Sequence, residues 1–455
     1  MSTSPAIAVD NSGATRTDRR YSPEEIQALK ARDNVTNFRY IAGIYTVIIA
    51  TAVVTIWAYQ SYAAGALAFG WLIPITILAV LAMGASQHQL GGVIHEGTHY
   101  ILFDNRKMNE LVSDWLGGFP IYTSTQAYRL HHFAHHQFVN DPDRDPIATQ
   151  AAESGHWLDF PVTHVELAKG FFRLVWPINL LKYMVSRARH SAIPQDSNPF
   201  SDGDHEASPL ATQIGILFAV GVPLVMVGLV AFGYYAVAGI FLAIAWIAMV
   251  AYYTLIPESH FPRSRVRPVI SDRATIIGRM SYLAVVYGAL TLTEFLSGAP
   301  AWGYFGLLWI LPLFTTFPIF MVLREWVQHG NADRGRLTNS RVFLVDPISR
   351  YAVFPLGMDY HLPHHLFASV PHYKLKDLHN LLLRDPEYAE KGMIVNGWTG
   401  VSREGHPSIV EVLGPEYAVR GDDIFINEST LEGAEVKDAA RIKEHVEASQ
   451  RGRIW

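Results

Sequence analysis

Long uncharged stretches alternate with short polar connections along most of this chain, a rhythm that predicts apolar helices rather than half-buried strands. Ile41–Tyr59 carries no charged residue, nor does Ser61–Gln87, and a single residue separates the two. Each approaches or exceeds the roughly 20 apolar residues that carry a helix across ~30 Å of hydrocarbon, so together they predict a tight hairpin turning near Gln60. Ala207–Pro257 is another uncharged run, too long for one span and right for two, with a turn expected at Phe232-Gly233-Tyr234. Met280–Leu323 holds one charge, Glu294, and breaks naturally at Ser297-Gly298-Ala299-Pro300. The expected fold class is all-α: a polytopic membrane helical bundle of three transmembrane hairpins. That makes six spans, or four if the halves of the third hairpin lie in the interface.

Charge orients this bundle. The short connections at 60, 233 and 298–302 lack Lys and Arg. The opposite side carries Arg16, Arg19, Arg20, Lys30, Arg32 and Arg39, then Lys182, Arg187 and Arg189, then Arg263, Arg265, Arg267, Arg273 and Arg279. The positive-inside rule places that side in the cytoplasm, and hairpin topology returns both termini to it. Leu167–His190 mixes Phe, Trp and Leu with Lys and Arg around Pro177, which fits an interfacial helix better than a span. Three regions follow: a polar N-terminal arm over 1–36, a membrane domain over 37–380 and a C-terminal cytoplasmic extension over 381–455. Met1–Arg20 lacks the basic-then-apolar order of a secretory signal.

Composition narrows the chemistry. Half the chain is hydrophobic and 17% is charged, whereas soluble domains carry about 25% charge, so the balance favours a membrane protein. A net charge of −5 gives no basic footprint for nucleic acid. There is no cysteine, which excludes disulfides, cysteine-ligated zinc, iron–sulfur clusters and thiol catalysis. Any metal must be held by histidine, carboxylate or carbonyl groups, and there are 20 histidines.

Their placement matters more than their number. His95-Glu96-Gly97-Thr98-His99 closes the first hairpin, and Arg129-Leu130-His131-His132-Phe133-Ala134-His135-His136 lies before the second. Glu325-Trp326-Val327-Gln328-His329 ends the third, and His361-Leu362-Pro363-His364-His365 follows it. The topology puts all four clusters on one side. Residues i and i+4 share a helix face, so His95 and His99 can aim at one metal. In an H-x-x-H-H box the first and fourth residues are expected on one face, with the fifth turned about 100° from the fourth, so one box can feed two metals. His95, His99, His132, His135, His136, His361, His364 and His365 are then eight candidate ligands, with His329 a ninth and Glu325 one turn before it. So many ligands exceed what one metal takes, which makes a two-metal site the economical reading. Imidazole alone does not name the metal.

The order H-x-x-x-H, H-x-x-H-H, H-x-x-H-H, spread over about Arg39–His379, resembles the membrane fatty acid desaturase/hydroxylase family. The resemblance implies two iron ions in a non-haem di-iron site, O₂ as co-substrate and electrons from an external donor. It implies metal-ligand roles for the eight histidines, an extra-ligand role for His329, and a direct or water-mediated one for Glu325, with no catalytic residue beyond these. It also implies a lipid-like substrate: most directly a fatty acyl chain that gains a double bond, alternatively an alkyl, sterol or carotenoid substrate of a hydroxylase or ketolase. The first box has the three-residue gap of acyl-lipid desaturases. No Gly-rich dinucleotide fingerprint is evident, and at His406-Pro407 the residues Ser408-Ile409 replace the glycines of a cytochrome b5 haem motif. A separate ferredoxin or cytochrome b5-like donor is therefore expected, with the Arg263–Arg279 loop a docking patch or simply an anchor.

Other readings stay in view. His95-Glu96-x-x-His99 is literally the zinc metalloprotease motif, with Glu96 as base, though that leaves the later boxes unexplained. A histidine-lined metal transporter would carry its ligands at mid-membrane. His88 and His131 read as supporting histidines behind the ligands, and His372 and His379 as surface. Asp141, Asp143 and Asp145 could orient imidazoles or simply form a turn, and Arg129 could pair with one of them. Tyr122, Trp157 and Trp326 are candidates to line an apolar tunnel.

Overall fold

The computed structural model describes residues 21–192, 200, 207–399, 405–418, 421, 424–425 and 428–436. Of the expected arm over 1–36, Met1–Arg20 lies outside the described residues, as does the C-terminal tail beyond 436. Ser22 opens the first helix, α1 (Pro23–Lys30), through a reciprocal capping box with Glu25. Two long apolar helices follow, α2 (Thr36–Ala63) and α3 (Phe69–Thr98). The turn between them is centred on Gly65 at φ 75°, not on Gln60. A chain reversal needs a residue that tolerates positive φ, and Gly65 supplies it without a Cβ penalty. Short helices α4 (Arg106–Ser113), α5 (Thr125–Phe138) and α6 (Pro146–Glu153) then carry the chain past the end of α3.

The expected interfacial segment is two helices, α7 (His164–Leu174) and α8 (Pro177–Ala192), split where Pro177 starts a new first turn. Phe172 and Trp176 are exposed there, as a helix pair lying on a lipid surface requires. The second hairpin is α9 (Pro209–Ala231) and α10 (Tyr235–Leu255), reversed at Gly233 with φ 77°. The third is α11 (Asp272–Ser297) and α12 (Ala301–His329), reversed at Gly298 with φ 68°. Six helices are thus long and apolar enough to cross a membrane, with hydropathies from 1.3 to 2.6. The protein is a multi-pass membrane protein of helical-bundle class. Its outward faces are apolar, as Ile49, Val53, Trp57, Ile77 and Leu78 on the first hairpin illustrate.

Two apolar cores hold the bundle. One joins α2, α3 and α12 through Ile41, Ile44, Leu90, Val93, Phe317, Met321 and Trp326. The other joins α9, α10 and α11 through Phe218, Met226, Met249, Leu283 and Tyr287. In the first, α3 and α12 nearly touch at Gly84, where a Cβ would lie 2.0 Å from Thr316 Oγ1 and 2.8 Å from Phe317 N. Thr316 Oγ1 donates to Val80 O across the same crossing. Small residues let spans approach closely where lipid offers no hydrophobic drive to do so.

After α12 come α13 (Pro347–Val353), α14 (His361–Leu366) and α15 (Leu375–Leu382), which form a cap with its own apolar core of Phe343, Phe354, Leu362, Leu378 and Val412. A two-stranded parallel sheet, β1 (Val342–Leu344) with β2 (Ile394–Asn396), ties the chain after α15 to the cap.

Candidate metal centre

At ~1.5 Å per residue, α3 is about 45 Å long and α12 about 43 Å, more than ~30 Å of hydrocarbon. Both are thus longer than a span needs. His95 lies in the last turn of α3, His99 follows directly at its cap, and His329 ends α12. Helix α5 supplies His132, His135 and His136, and α14 supplies His361, His364 and His365. All nine side chains are buried.

They form two adjacent groups. His95, His99, His132, His136 and His364 are one, and His135, His329, His361 and His365 the other, with the candidate ligand atoms in each group within 4.8 Å of one another. Nε2 atoms converge: His95 to His364 at 3.0 Å, His99 to His132 at 2.9 Å, His132 to His136 at 3.0 Å and His136 to His364 at 3.1 Å. In the second group His329 meets His361 at 2.9 Å and His361 meets His365 at 3.1 Å. The groups abut where the His136 and His365 rings stack at 4.4 Å.

The division of each H-x-x-H-H box corrects the expected one. First and fifth residues go together, His132 with His136 and His361 with His365, while the fourth joins the other group. At 100° per residue the fifth is offset about 40° from the first and the fourth about 60° the other way, so the fifth is the closer mate. Each box still feeds both positions.

The donor set fits a transition metal. Burial first, and then neighbouring imidazoles, hold His132, His136, His361 and His365 well below the ordinary imidazole value, and His364 is brought down to about 3. Neutral imidazole is the ligating form. Two far-side nitrogens are fixed by acceptors, as those of ligating histidines commonly are. His135 Nδ1 faces both oxygens of Asp145 at 2.9 Å and His329 Nδ1 faces Asn339 O at 3.1 Å, whereas His95 Nδ1 lies 3.4 Å from Glu96 Oε1 without a hydrogen bond. Of the three aspartates named from sequence, Asp145 does this, while Asp141 is engaged by Arg144 and Arg334.

Other expectations change. Arg129 pairs with Glu110 rather than with an aspartate of the 141–145 turn, because both are buried where α4 passes α5. His372 and His379 are buried, not at the surface: His372 N donates to Glu96 Oε2 at 2.9 Å with its Nε2 at Asn37 Oδ1, and His379 Nδ1 meets Tyr388 OH. The loop after α14 folds back under α3, and polar character alone could not reveal that. His88 stands apart from both groups, between Ala352 O and Arg324, and His131 belongs to neither group. Glu325 is turned onto Arg324 and is not among the gathered ligand atoms. Trp326 lies in the α3–α12 core with its Nε1 donating to His156 O, and Tyr122 and Trp157 pack against that core. In the proposed docking loop Arg273 is directed inward, onto Tyr253 O, Thr254 O and Ile256 O.

Two residues escaped sequence reading altogether. Asn339 lends His329 its carbonyl, and Arg341 is buried at the end of α12, donating to Val327 O at 2.8 Å and Gly330 O at 2.7 Å. A charged residue ten or so positions beyond a histidine gives no periodic signal. The later boxes are not left apart, as the metalloprotease reading would leave them: His132, His136 and His364 join His95 and His99, and Glu96 Oε2 accepts from the His372 amide.

A family model of fatty acid desaturases matches residues 69–277 and 257–396, which include every histidine of the two groups. A dihydrorhizobitoxine desaturase from Bradyrhizobium elkanii is 24% identical over 398 residues, 84% of this chain and 85% of that protein. A delta(5) fatty acid desaturase from Caenorhabditis elegans is 37% identical over 67 residues, 15% of each chain. A family match across five of the six spans and all the boxes, on a chain whose histidines meet in one buried place, leads to one assignment: the chain belongs to the fatty acid desaturase family.

Proposed function

We propose that this protein is an O₂-dependent desaturase that holds two irons in its paired histidine groups and converts a CH₂–CH₂ unit of its substrate into CH=CH. The observation that carries this is the convergence of nine buried imidazoles into abutting groups of five and four. Iron bound there supplies the redox chemistry by which O₂ takes hydrogen from unactivated C–H bonds. The balance is one O₂, two electrons and two protons in addition to the two hydrogens removed, giving two waters. The two electrons come from a separate ferredoxin or cytochrome b5-like donor.

The chain's own residues do the remaining work. Asp145 and Asn339 orient His135 and His329, and Glu96 lies beside His95. Burial excludes bulk water and keeps the ligands neutral. With the positive-inside orientation, the histidines and both termini face the cytoplasm. Glu325, one turn before His329, is held in reserve by Arg324 as a water-mediated ligand.

For the substrate, a fatty acyl chain is the first reading, supported by the family and by the membrane setting. A second reading, a small molecule other than a fatty acyl chain, has its own support: the relative aligned with 84% of this chain is named for dihydrorhizobitoxine, while the one named for a fatty acid aligns with 15%. Expression in a host of simple lipid composition separates them. Mass spectrometry of lipid double bonds and of soluble metabolites reads the product, and elemental analysis reads iron per chain. New lipid double bonds support the acyl substrate, and a desaturated soluble metabolite supports the second. Zinc in place of iron, with no desaturated or oxygenated product in either fraction, overturns the proposal.

A further inference from the structure

Both long helices that deliver histidines to the centre end against a buried arginine. At the end of α3, Arg129 donates through Nε to Thr98 O at 3.0 Å and through Nη2 to Gly97 O at 2.9 Å. These carbonyls lie between His95 and His99. At the end of α12, Arg341 donates to Val327 O and Gly330 O, carbonyls that flank His329, and through Nη2 to Asn331 O at 3.1 Å. The last carbonyls of a helix carry partial negative charge, which a guanidinium offsets; Gly97 O also accepts from Asn109 Nδ2 at 2.9 Å. The planar fork presents its donors to two carbonyls in a fixed geometry, which the single flexible ammonium of a lysine does not preset.

Each arginine also binds its helix to a second histidine-bearing segment. Arg129 sits one turn before His132 on α5, and Arg341 O accepts from Leu362 N inside the His361–His365 box. Their electrostatic settings differ. Arg129 is neutralised by Glu110, whereas Arg341 has no carboxylate partner among the described residues. Arg273 offers a contrast: it caps α10, which brings no histidine, and Glu258 pairs with it at a more exposed position.

We infer that Arg129 and Arg341 are positioning residues for separate metal positions, Arg129 setting the five-histidine group and Arg341 the four-histidine group. This rests on the two-metal reading above. A shift of the α3 end moves His95 and His99, both of the five-histidine group, and a shift of the α12 end moves His329 of the four-histidine group, so each loss falls first on one position although α5 and α14 feed both.

The test uses full-length protein purified in detergent, stripped of metal and titrated with Co(II), whose visible absorption reports occupied histidine sites. Wild type is expected to fill in two resolvable steps. Arg129→Gln weakens one step by roughly 10–100-fold, the range for losing a group that orients ligands, and leaves the other in place. Arg341→Gln does the reverse, and Arg273→Gln changes neither. His99→Ala and His329→Ala identify which step belongs to which group. Thermal unfolding of the metal-free variants separates positioning from folding, with Glu110→Gln as a milder lesion at the α3 cap and Arg341→Lys at the α12 cap. The inference is lost if each arginine variant weakens both steps equally or neither, or if the metal-free variants and their milder counterparts all unfold. Wild type that takes up no Co(II) or iron overturns the two-metal reading itself, a failure distinct from that of the arginine assignment.

Discussion

At the scale of residues, the proposed centre rests on buried, neutral imidazoles, with His135 and His329 held from behind. His135 and His364 illustrate how a box divides its work, since they occupy fourth positions and each enters the group opposite to that of its box mates. Replacing either with alanine removes one ligand and leaves the spans untouched. Turnover is expected to fall to background while the protein still accumulates in membranes, measured as product formed per protein detected in the membrane fraction. Retained turnover would remove that histidine from the ligand set. Asp145 makes a graded prediction. Its carboxylate accepts from His135 Nδ1 and also caps α6 through Ile147 N. Asparagine keeps the size and one acceptor oxygen, so Asp145→Asn is expected to hold metal about 10–100-fold more weakly at the four-histidine position without unfolding α6. Equilibrium dialysis against a chelator of known affinity checks this. The gathered histidines were legible because three boxes in fixed order form a joint pattern. Of the groups behind them, Asp145 was marked in the sequence, but Glu110 was not, because it pairs with Arg129 across two helices and lies at no spacing that marks it.

Elements set where those residues can stand. The spans were readable from uncharged length, and the turns at Gly233 and Gly298 from local residue choice. The first turn was misplaced because the apolar run continues unbroken past Gln60, and helix α2 extends as far as the chain can before Gly65 permits reversal. What sequence did not show is how closely α3 and α12 pass. That crossing sits below His95 on one helix and His329 on the other, so its spacing fixes how far apart the two histidine-bearing ends emerge. Gly84→Ala would place a methyl group into Thr316 and the Phe317 backbone. Overpacking of this kind costs about 1–3 kcal/mol, because a backbone cannot yield as a flexible side chain does. Thermal unfolding in detergent should show the loss together with reduced metal content. Gly91→Ala, on the same helix with nothing within 4 Å of the new methyl, is the control and should be neutral or stabilising by about 0.5–1 kcal/mol. Equal behaviour of the two variants would mean that the crossing is not tightly packed.

For the molecule as a whole, hairpin topology converts a linear order of boxes into one location. Every connection between hairpins returns to the same side, so four clusters spread from His95 to His365 meet without any long excursion. The sequence carried this much because charge and hydropathy act over whole segments. It could not show the small parallel sheet or the buried seats of His372 and His379, which come from pairings remote along the chain. The direction of the bundle is directly testable because the protein contains no cysteine, so a single introduced thiol is the only one to react. Phe232, exposed at the α9–α10 turn, and Lys376, exposed on α15 in the cap, lie on opposite sides under the proposed topology. A membrane-impermeant maleimide applied to spheroplasts or intact cells is expected to label Phe232→Cys at once. Lys376→Cys should be labelled after permeabilisation alone. The reverse pattern would turn the bundle over and place the histidines, and any donor that serves them, outside the cytoplasm. Labelling of both in unpermeabilised cells would mean that the chain between the two sites crosses the membrane an even number of times, and the three-hairpin topology would fail even though all six helices are long enough to span.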